Sequence, residues 1–427
     1  MFTRLLLRVA SLGLKFALTI IVARMLGFAA VADYGIAVAA SVIASKILGL
    51  GASTEINRRL SLADPVPAIR DARRMLALYG AAYLLVFAAV AWITKFDASG
   101  VLHGVSPGVV WGVAAVAVSE HGALETNSWL FSLHRARAAS ILLFFRTGAW
   151  AGVAVLGLIA GAIRTIETVF MLWWATNAIA IAASWFCIGR VKERMSGGQT
   201  ETSRPHPREM LTIWKDGFAF YVATAILSGL QYLERFIASG RIGSVESGHY
   251  IFAWSVANSV QALAFATVAV TSGPRFVRAL SVAGERFRPL LLRTAWASGL
   301  LTAFGSVAIL VAHEFIFRLA HEPAGSRELI ELAVLLLSFV LRSVADVLWG
   351  AAIALRSGSI VLIALTTVAV LCVPIAWSLI AHLGVMGAAL AHLTASVGIV
   401  AALLLVLSRT SRSWNPAWSR EVSSHVA

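Results

Sequence analysis

Charged residues are scarce in this chain of 427 residues: Asp, Glu, Lys and Arg make up 13% of it, against about 25% in a soluble domain. Hydrophobic residues make up 59%. A globular protein of this length could not bury so much apolar surface, so most of that surface must face lipid. The composition therefore indicates an integral membrane protein.

Cysteine is almost absent as well, and the two that exist, Cys187 and Cys372, lie inside apolar runs. They provide neither a disulfide framework nor a metal site. The sequence also has no GxxxxGK[ST] loop that would bind ATP. The segments between apolar runs are too short for a soluble catalytic domain. We expect no cofactor, no metal and no enzymatic activity.

Basic residues, in contrast, are plentiful, and the formal net charge is +14. Such a charge can indicate a nucleic-acid partner. Here, however, the arginines cluster between apolar runs, which is typical of the cytoplasmic loops of membrane proteins. We therefore expect the lipid bilayer, and no nucleic acid, as a partner.

Twelve segments have the length of about 20 mainly apolar residues that a membrane-spanning helix needs. They predict an all-α, polytopic fold. The predicted helices cover residues 5–26, 34–56, 75–93, 108–131, 141–161, 169–189, 217–238, 250–273, 290–312, 329–350, 359–381 and 387–407.

Lysine and arginine fall mostly on one side of these helices. With the N-terminus inside, 25 of the 35 basic residues lie in inner segments, Arg146 among them, and seven in outer segments, Arg235 among them. Because basic residues concentrate on the cytoplasmic side, we expect both termini to be cytoplasmic.

Two similar stretches, "LGFAAVADYGIA" at 26–37 and "IGSVESGHYIFA" at 242–253, lie 216 residues apart. Their offset carries helices 1 and 2 onto helices 7 and 8, and so predicts two parallel six-helix repeats. We expect an N-terminal bundle at 1–190, a cytoplasmic linker at 191–212, and a C-terminal bundle at 213–427 with a short cytoplasmic tail. The matching residues are Gly27 and Gly243, Tyr34 and Tyr250, Arg59 and Arg275, and Arg70 and Arg286.

The glycine of the first stretch allows a positive φ where helix 1 ends. The tyrosine of each stretch suits the boundary between water and lipid, with its ring inward and its hydroxyl outward. This interpretation is structural and assigns no chemistry to either residue.

At these residues the chain resembles the oligosaccharide and polysaccharide flippases (Wzx-like) of the MOP superfamily, which also contains the MATE multidrug exporters and the lipid II flippases. The second-half stretch "YLERFIASGRIGSVESGHYIFA", the "GPRF" at 273–276 and the turn "LGVMGAALA" at 383–391 carry the same resemblance. Glu234 stands where the family usually has Asp. The resemblance implies a MATE-like fold around a central cavity, in the bacterial inner membrane.

Two lysines are predicted near the middle of the membrane, Lys15 about 15 Å into helix 1 and Lys46 about 18 Å into helix 2. Such charges cost about 2.5–3.5 kcal/mol on insertion scales. Neither helix carries an acid near its middle. The lysines would line the cavity and bind an anionic head group, pair with Glu120 as a structural contact, or snorkel to the interface. The repeat offset places Gln231 at the depth of Lys15.

Further charges lie on predicted helices 4 and 10. His121 and Glu125 are four residues apart on one face of helix 4 and would neutralise the lysines or relay protons. On helix 10, Arg342 and Asp346 share a face, and they either pair with each other or line the cavity. The predicted substrate-binding residues are Lys15, Lys46, Glu120, Gln231 and Arg342, and the predicted proton- or ion-coupling residues are His121, Glu125, Glu234 and Asp346.

The expected function is the translocation of a polyprenyl-diphosphate-linked oligosaccharide to the outer leaflet, for the synthesis of a surface polysaccharide such as O-antigen or exopolysaccharide. A polysaccharide polymerase and glycosyltransferases are the further partners that the resemblance implies. The alternatives are an ion-coupled multidrug exporter of the same fold and a lipid-binding scaffold. Helix 1 contains no acid, which argues against the exporter, and a scaffold need not carry charge at mid-membrane.

Overall fold

The computed structural model describes residues 2–61, 64–96, 106–195, 207–282, 286–322 and 325–413. Its regular secondary structure in these ranges is helical. The chain divides into two compact units, Met1–Tyr221 (unit 1) and Val222–Ala427 (unit 2).

Unit 1 is built from eight helices. The sixth and seventh of them form one span that is interrupted by a π-helical turn. The turn covers Phe145–Ala149. The helices are α1 (Phe2–Leu26), α2 (Phe28–Ile47), α3 (Ser53–Leu60), α4 (Val66–Lys95), α5 (Pro107–Ser132), α6 (Ala136–Phe144), α7 (Trp150–Ile159) and α8 (Ile166–Met195).

Unit 2 begins within α9 and contains a second π-helical turn, at Phe265–Ala269. Its last helix is broken at Gly384, whose φ of 56° and ψ of −126° are not helical. A residue with a Cβ rarely adopts this backbone conformation. The helices are α9 (Pro207–Arg241), α10 (Ser244–Ala264), α11 (Val270–Val282), α12 (Phe287–Leu319), α13 (Ser326–Ala354) and α14 (Gly358–Ser413).

The spans agree with the predicted number. Nine helices in the described ranges are long and apolar enough to cross a membrane. One of these is α14, which provides two spans because Gly384 breaks it. The helices α5 and α9, of 26 and 35 residues, are long enough but carry more polar residues. Together they give twelve spans, so the predicted all-α, twelve-helix membrane fold is confirmed.

Large apolar side chains cover the outside of both units. Leu85 is 72% exposed, Phe304 79% and Val311 81%. In water such a surface would be unfavourable, so these side chains face lipid. Inside unit 1, Tyr79 and Trp129 belong to a buried apolar core, and unit 2 has a core of its own.

The predicted bounds of helix 2 are wrong. The segment begins at Phe28 and ends at Ile47, rather than covering 34–56. Gly27, with a φ of 87°, lets α1 pass into α2 without a loop. The end was missed because apolar residues continue beyond Ile47, although Gly51 has a φ of 73° there and the short helix α3 follows.

The two similar turns differ in conformation. The prediction of a positive φ is confirmed at Gly27, whereas Gly243 has a φ of −59°. The interfacial position predicted for the tyrosines is wrong, since Tyr34 is only 5% exposed and Tyr250 only 1%. Both rings pack within their own unit.

The predicted linker at 191–212 lies partly outside the described residues. Helix α8 continues to Met195 and α9 begins at Pro207, and residues 196–206 are not among those described. The same holds for the part of the predicted cytoplasmic tail beyond residue 413.

Candidate functional site

A largely buried carboxylate, that of Glu120 in the middle of α5, accepts hydrogen bonds from three side chains. Arg146 forms an ion pair with its Oε1. Trp173 Nε1 donates to Oε2 at 3.1 Å, and Asn177 Nδ2 donates to the same oxygen at 3.0 Å. A charged group away from water is stabilised by donors of this kind. Asn177 Nδ2 also donates to Ser119 Oγ at 3.2 Å. We call Lys15, Ser119, Glu120, Arg146, Trp173 and Asn177 the Glu120 cluster.

The arginine of this cluster lies in the π-helical turn between α6 and α7. A π-helical turn inserts one extra residue into the helix and is frequent at functional sites. Arg146 is 4% exposed, so its assignment to an inner loop is wrong. The available signal was its place inside the apolar run 141–161.

Lys15 lies near the middle of α1, roughly 17–20 Å from either end of that helix, as predicted. Its Nζ is 5.7 Å from the centre of the Trp173 ring, and Glu120 and Arg146 are within Coulombic range. Lys15 is half-buried and takes part in no ion pair among the described residues. The nearby carboxylate of Glu120 pairs with Arg146 instead. The structure therefore does not contain the direct Lys15–Glu120 ion pair that was one of the predicted alternatives.

A close helix–helix contact brings α1 to the π-helical turn. Thr147 Oγ1 donates to Ser11 Oγ at 3.1 Å. A Cβ on Gly148 would lie 2.6 Å from Ser11 Oγ and 2.9 Å from Ser11 Cα. A glycine at this position therefore permits the close approach of α1 that places Lys15 beside the Glu120 cluster.

Lys46 lies in the last turn of α2, roughly 27 Å from Phe28, and is exposed. Its predicted depth near the middle of the helix is wrong, because α2 begins and ends earlier than the sequence suggested. The acid within Coulombic range of Lys46 is Glu125. Lys15 and Lys46 thus belong to two different groups of side chains in unit 1.

The second group surrounds Glu125, which is 5% exposed. Ser53 Oγ donates to its Oε1 at 2.6 Å, while its Oε2 has no hydrogen-bond partner in the described part of the chain. Four residues earlier, His121 Nδ1 and the Tyr83 hydroxyl are 2.6 Å apart, and the ring of Tyr79 meets the imidazole edge-on at 4.8 Å. We call Lys46, Ser53, Tyr79, Tyr83, His121 and Glu125 the Glu125 cluster.

In unit 2 a buried guanidinium is held by neutral groups. Arg342, 3% exposed, donates from Nε to Ser396 Oγ at 3.1 Å and from Nη2 to the Leu230 carbonyl at 3.2 Å. Ser338 Oγ continues this network, 2.7 Å from Ser396 Oγ and 2.6 Å from His392 Nδ1. We call Ser338, Arg342, His392 and Ser396 the Arg342 cluster.

Two acids of unit 2, Asp346 and Glu234, also meet neutral donors. Gln261 Nε2 donates to Asp346 Oδ2 at 2.7 Å, and the Tyr250 hydroxyl donates to Glu234 Oε1 at 3.1 Å. An ion pair between Arg342 and Asp346, one of the two predicted arrangements, is not among those formed by the described residues. The guanidinium instead extends towards α9 and α14. Gln231 is half-buried in α9.

Arg235 was missed as a buried cation. It is 1% exposed, and its guanidinium carbon lies 3.6 Å from the centre of the Trp254 ring, so its assignment to an outer segment is wrong. Stacking on an aromatic face is a common way to hold a buried arginine. The signal was the adjacent pair Glu234–Arg235 inside an apolar run.

No family model matches the sequence, and no curated protein is similar to it. Solved structures match over nearly the whole length. An inward-facing MATE multidrug resistance transporter of the MOP superfamily has a TM-score of 0.65 at 15% identity, covering 94% of this chain and 95% of that chain. A MATE protein in complex with MaL6 has a TM-score of 0.63 at 14% identity, with 95% and 94% covered.

A third match is the lipid II flippase MurJ in an inward closed conformation, with a TM-score of 0.60 at 13% identity, covering 96% of this chain and 88% of that chain. Identities this low establish the fold alone. The chain has the all-helical membrane fold that the MATE transporters and this flippase of the MOP superfamily share.

Proposed function

We propose that this protein is a membrane transporter that works by alternating access, and that it is a flippase for a polyprenyl-diphosphate-linked oligosaccharide. In this proposal it resides in the bacterial inner membrane with both termini in the cytoplasm. It moves the lipid-linked glycan to the outer leaflet for a polysaccharide polymerase, after glycosyltransferases have built it. The observation that carries the proposal is that Lys15 lies in the middle of a spanning helix and forms no ion pair among the described residues.

Lys15 is a half-buried cation in the middle of a spanning helix. A charge at that depth costs about 2.5–3.5 kcal/mol on insertion scales, so a purely structural lysine would be expected to have a counter-ion. The carboxylate within its range, Glu120, already pairs with Arg146. The Glu120 cluster therefore has one positive charge in excess, which suits an anionic head group such as a diphosphate.

The membrane potential supplies a driving force that needs no ATP. Moving one charge is worth about 2.3 kcal/mol per 100 mV. The cytoplasmic side of the membrane is negative. A diphosphate with about two negative charges would therefore gain roughly 4–5 kcal/mol per 100 mV when it moves outward, by the same relation. Lys46, Arg342 and Gln231 as further substrate contacts remain predictions, as do Glu234 and Asp346 as coupling residues.

The alternative is an ion-coupled multidrug exporter. Unit 2 offers the observation that favours it: Glu234 is buried and Asp346 half-buried, and each accepts a hydrogen bond from a neutral donor, Tyr250 and Gln261 respectively. Acidic groups of this kind suit a cationic substrate or a coupling ion. Lys15 in the Glu120 cluster does not suit a cationic drug.

The test separates charge from folding at Lys15. Glycan export and protein abundance are measured for Lys15→Arg, Lys15→Gln and Lys15→Glu, with Lys95→Gln at the exposed end of α4 as the matched control. We expect Lys15→Arg to keep partial export, because the charge is retained although the guanidinium is larger. Lys15→Gln and Lys15→Glu should abolish export at normal abundance.

Normal export by Lys15→Gln would overturn the role of this lysine. If Lys15→Gln lowered abundance and Glu120→Gln restored both abundance and export, Lys15 would be a structural counter-ion instead. Efflux of a cationic drug that survives Lys15→Gln and is lost in Glu234→Gln would establish the exporter.

A further inference from the structure

Two carboxylates on α5, five residues apart, have different surroundings. Glu120 accepts hydrogen bonds from Arg146, Trp173 and Asn177. Glu125 is more deeply buried, yet accepts one hydrogen bond, from Ser53. Its Oε2 is buried and has no partner in the ranges that the structure describes.

Few charged groups face Glu125. From α2 comes Lys46, which is exposed and lies within Coulombic range but forms no ion pair among the described residues. From α4 come the phenols of Tyr79 and Tyr83, and from α9 comes Tyr221, which faces Tyr79. From α3 comes the hydroxyl of Ser53, and from α5 itself the imidazole of His121.

An ionised carboxylate in such a place is unfavourable, because a buried charge needs a counter-ion and several donors. A carboxyl group that carries a proton avoids this cost. A group that can be either neutral or charged at small expense is suited to bind and release a proton.

The position of His121 supplies a second group of the same kind. It is fully buried, and its Nδ1 is engaged by Tyr83, while its Nε2 has no partner in the described part of unit 1. Residues four apart on a helix are neighbours on one face. His121 and Glu125 therefore present an unpartnered nitrogen and an unpartnered oxygen on the same side of α5.

We propose that Glu125 is a proton-binding site, separate from the Glu120 cluster, with His121 held by Tyr83 as the neighbouring acceptor. Glu125 carries one proton on its carboxyl group. When that O–H bond breaks, the proton passes to water or to His121 Nε2. His121 Nε2 can accept it in the tautomer whose Nδ1 carries the hydrogen and donates to the Tyr83 hydroxyl. The carboxylate left behind attracts Lys46 at the end of α2.

Loss of the proton would act on the connection between α2 and α3. Lys46 ends α2, and Ser53 begins α3. The residues between them include Leu50 and Gly51, which have φ angles of 50° and 73°. Both ends of this short segment contact or face Glu125, so its charge state would alter how α2 and α3 are held against α5. Only the link of this change to transport rests on the proposed function.

The first test needs no substrate. Infrared spectra of the purified full-length protein in nanodiscs are recorded as a function of pH, and the carbonyl stretch of protonated carboxyl groups is followed. We expect a band that titrates with pH and that Glu125→Gln removes, whereas Glu120→Gln keeps it. An unchanged band in Glu125→Gln would overturn the proposal, as would loss of the same band in Glu120→Gln.

A second variant keeps the test decisive if Glu125→Gln does not fold. Ser53→Ala removes the hydrogen bond to Oε1, which stabilises the ionised form more than the neutral form. The midpoint of the band should move to higher pH by about one unit, a tenfold tighter binding of the proton. Ser45→Ala, whose hydroxyl bonds to Val42 O in α2, is the control. Equal midpoints for the two serine variants would refute the site.

The link to transport is tested last, in inverted membrane vesicles with an imposed pH gradient. The gradient should stimulate wild-type glycan transport, and Glu125→Gln should transport at the rate seen without a gradient. Stimulation that survives in Glu125→Gln would overturn the coupling. Absence of glycan transport in the wild type would contradict the proposed function and leave the infrared result valid.

Discussion

In unit 1 the largely buried carboxylate of Glu120 meets the guanidinium of Arg146 directly, whereas in unit 2 the buried guanidinium of Arg342 meets a hydroxyl and a backbone carbonyl. Asp346, four residues from Arg342 on the same helix, accepts from the amide of Gln261. These two sites, one in each unit, thus hold buried charge by different means.

The difference shows how the free energy that stabilises a buried charge is distributed among its contacts. A direct pair places it in one contact, and the removal of either partner strands a buried charge. A network of neutral partners spreads it over several hydrogen bonds, each worth about 0.5–1.5 kcal/mol, or about 1.5–3 kcal/mol where a charged group takes part. The direct pair also leaves Lys15 as an unneutralised cation in unit 1.

The largest effect is expected from Arg146→Met, which would leave Glu120 buried without its counter-ion. The free energy of unfolding in detergent should fall by about 3–5 kcal/mol. Glu120→Gln in the same protein should restore much of this loss, because no charge is then stranded. Arg137→Met, at an exposed position of α6, is the control. A double variant no more stable than Arg146→Met would break the comparison.

A smaller effect is expected from Arg342→Met. The Ser396 hydroxyl keeps its bond to the His392 carbonyl, so the loss in unfolding free energy should be about 1–3 kcal/mol. Neutralisation by Asp346→Asn should give no rescue, since Asp346 is bonded to Gln261. Rescue as large as that in unit 1 would show that unit 2 relies on a direct pair after all.

The contact that positions Lys15 can be tested by Gly148→Ala. Because the added Cβ would collide with the Cα of Ser11 at 2.9 Å, α1 must shift, and we expect a loss of about 1–3 kcal/mol in unfolding free energy. Gly152→Ala is the matched control, since its Cβ would meet Leu14 at an ordinary 3.4 Å. Equal stability of the two variants would contradict the close approach.

The smallest effect belongs to Glu55 in α3, outside the spans. Burial alone would raise the pKa of this carboxyl group, but hydrogen bonds and charges from Arg58 and Arg59 outweigh it and lower the pKa overall. Since the pKa is lower in the folded state, Glu55 stabilises the fold above its unfolded-state pKa. That contribution is lost as the pH falls through the folded-state pKa.

In Glu55→Gln, therefore, the difference in unfolding free energy from the wild type should be at most about 1 kcal/mol near neutral pH and should vanish in acid. Thermal unfolding of both proteins over this range checks it, with Arg58→Gln as a partial version of the same change. A difference that grows in acid would contradict the sign of the pKa shift.

Much of the fold could be predicted because each span repeats one physical requirement, an apolar run long enough to cross the hydrocarbon layer. The depth of Lys15 followed from the same runs. The end of α2 could not be predicted, since apolar residues continue past it and only the backbone at Leu50 and Gly51 turns the chain. The burial of Tyr34 and Tyr250 was likewise missed, because a tyrosine near a helix end fits the interface and the interior equally well.

The sequence by itself determined that this protein resides in a lipid bilayer, how many spans it has, and that some of these spans contain charged residues. Only the tertiary structure decided which partner each buried charge has: Arg146 for Glu120, Ser396 for Arg342, and Ser53 for Glu125. Hydrophobicity is set by composition along the chain. A hydrogen bond between helices depends instead on how each helix is rotated and how closely it approaches its neighbour, and these follow from the packing of the whole unit.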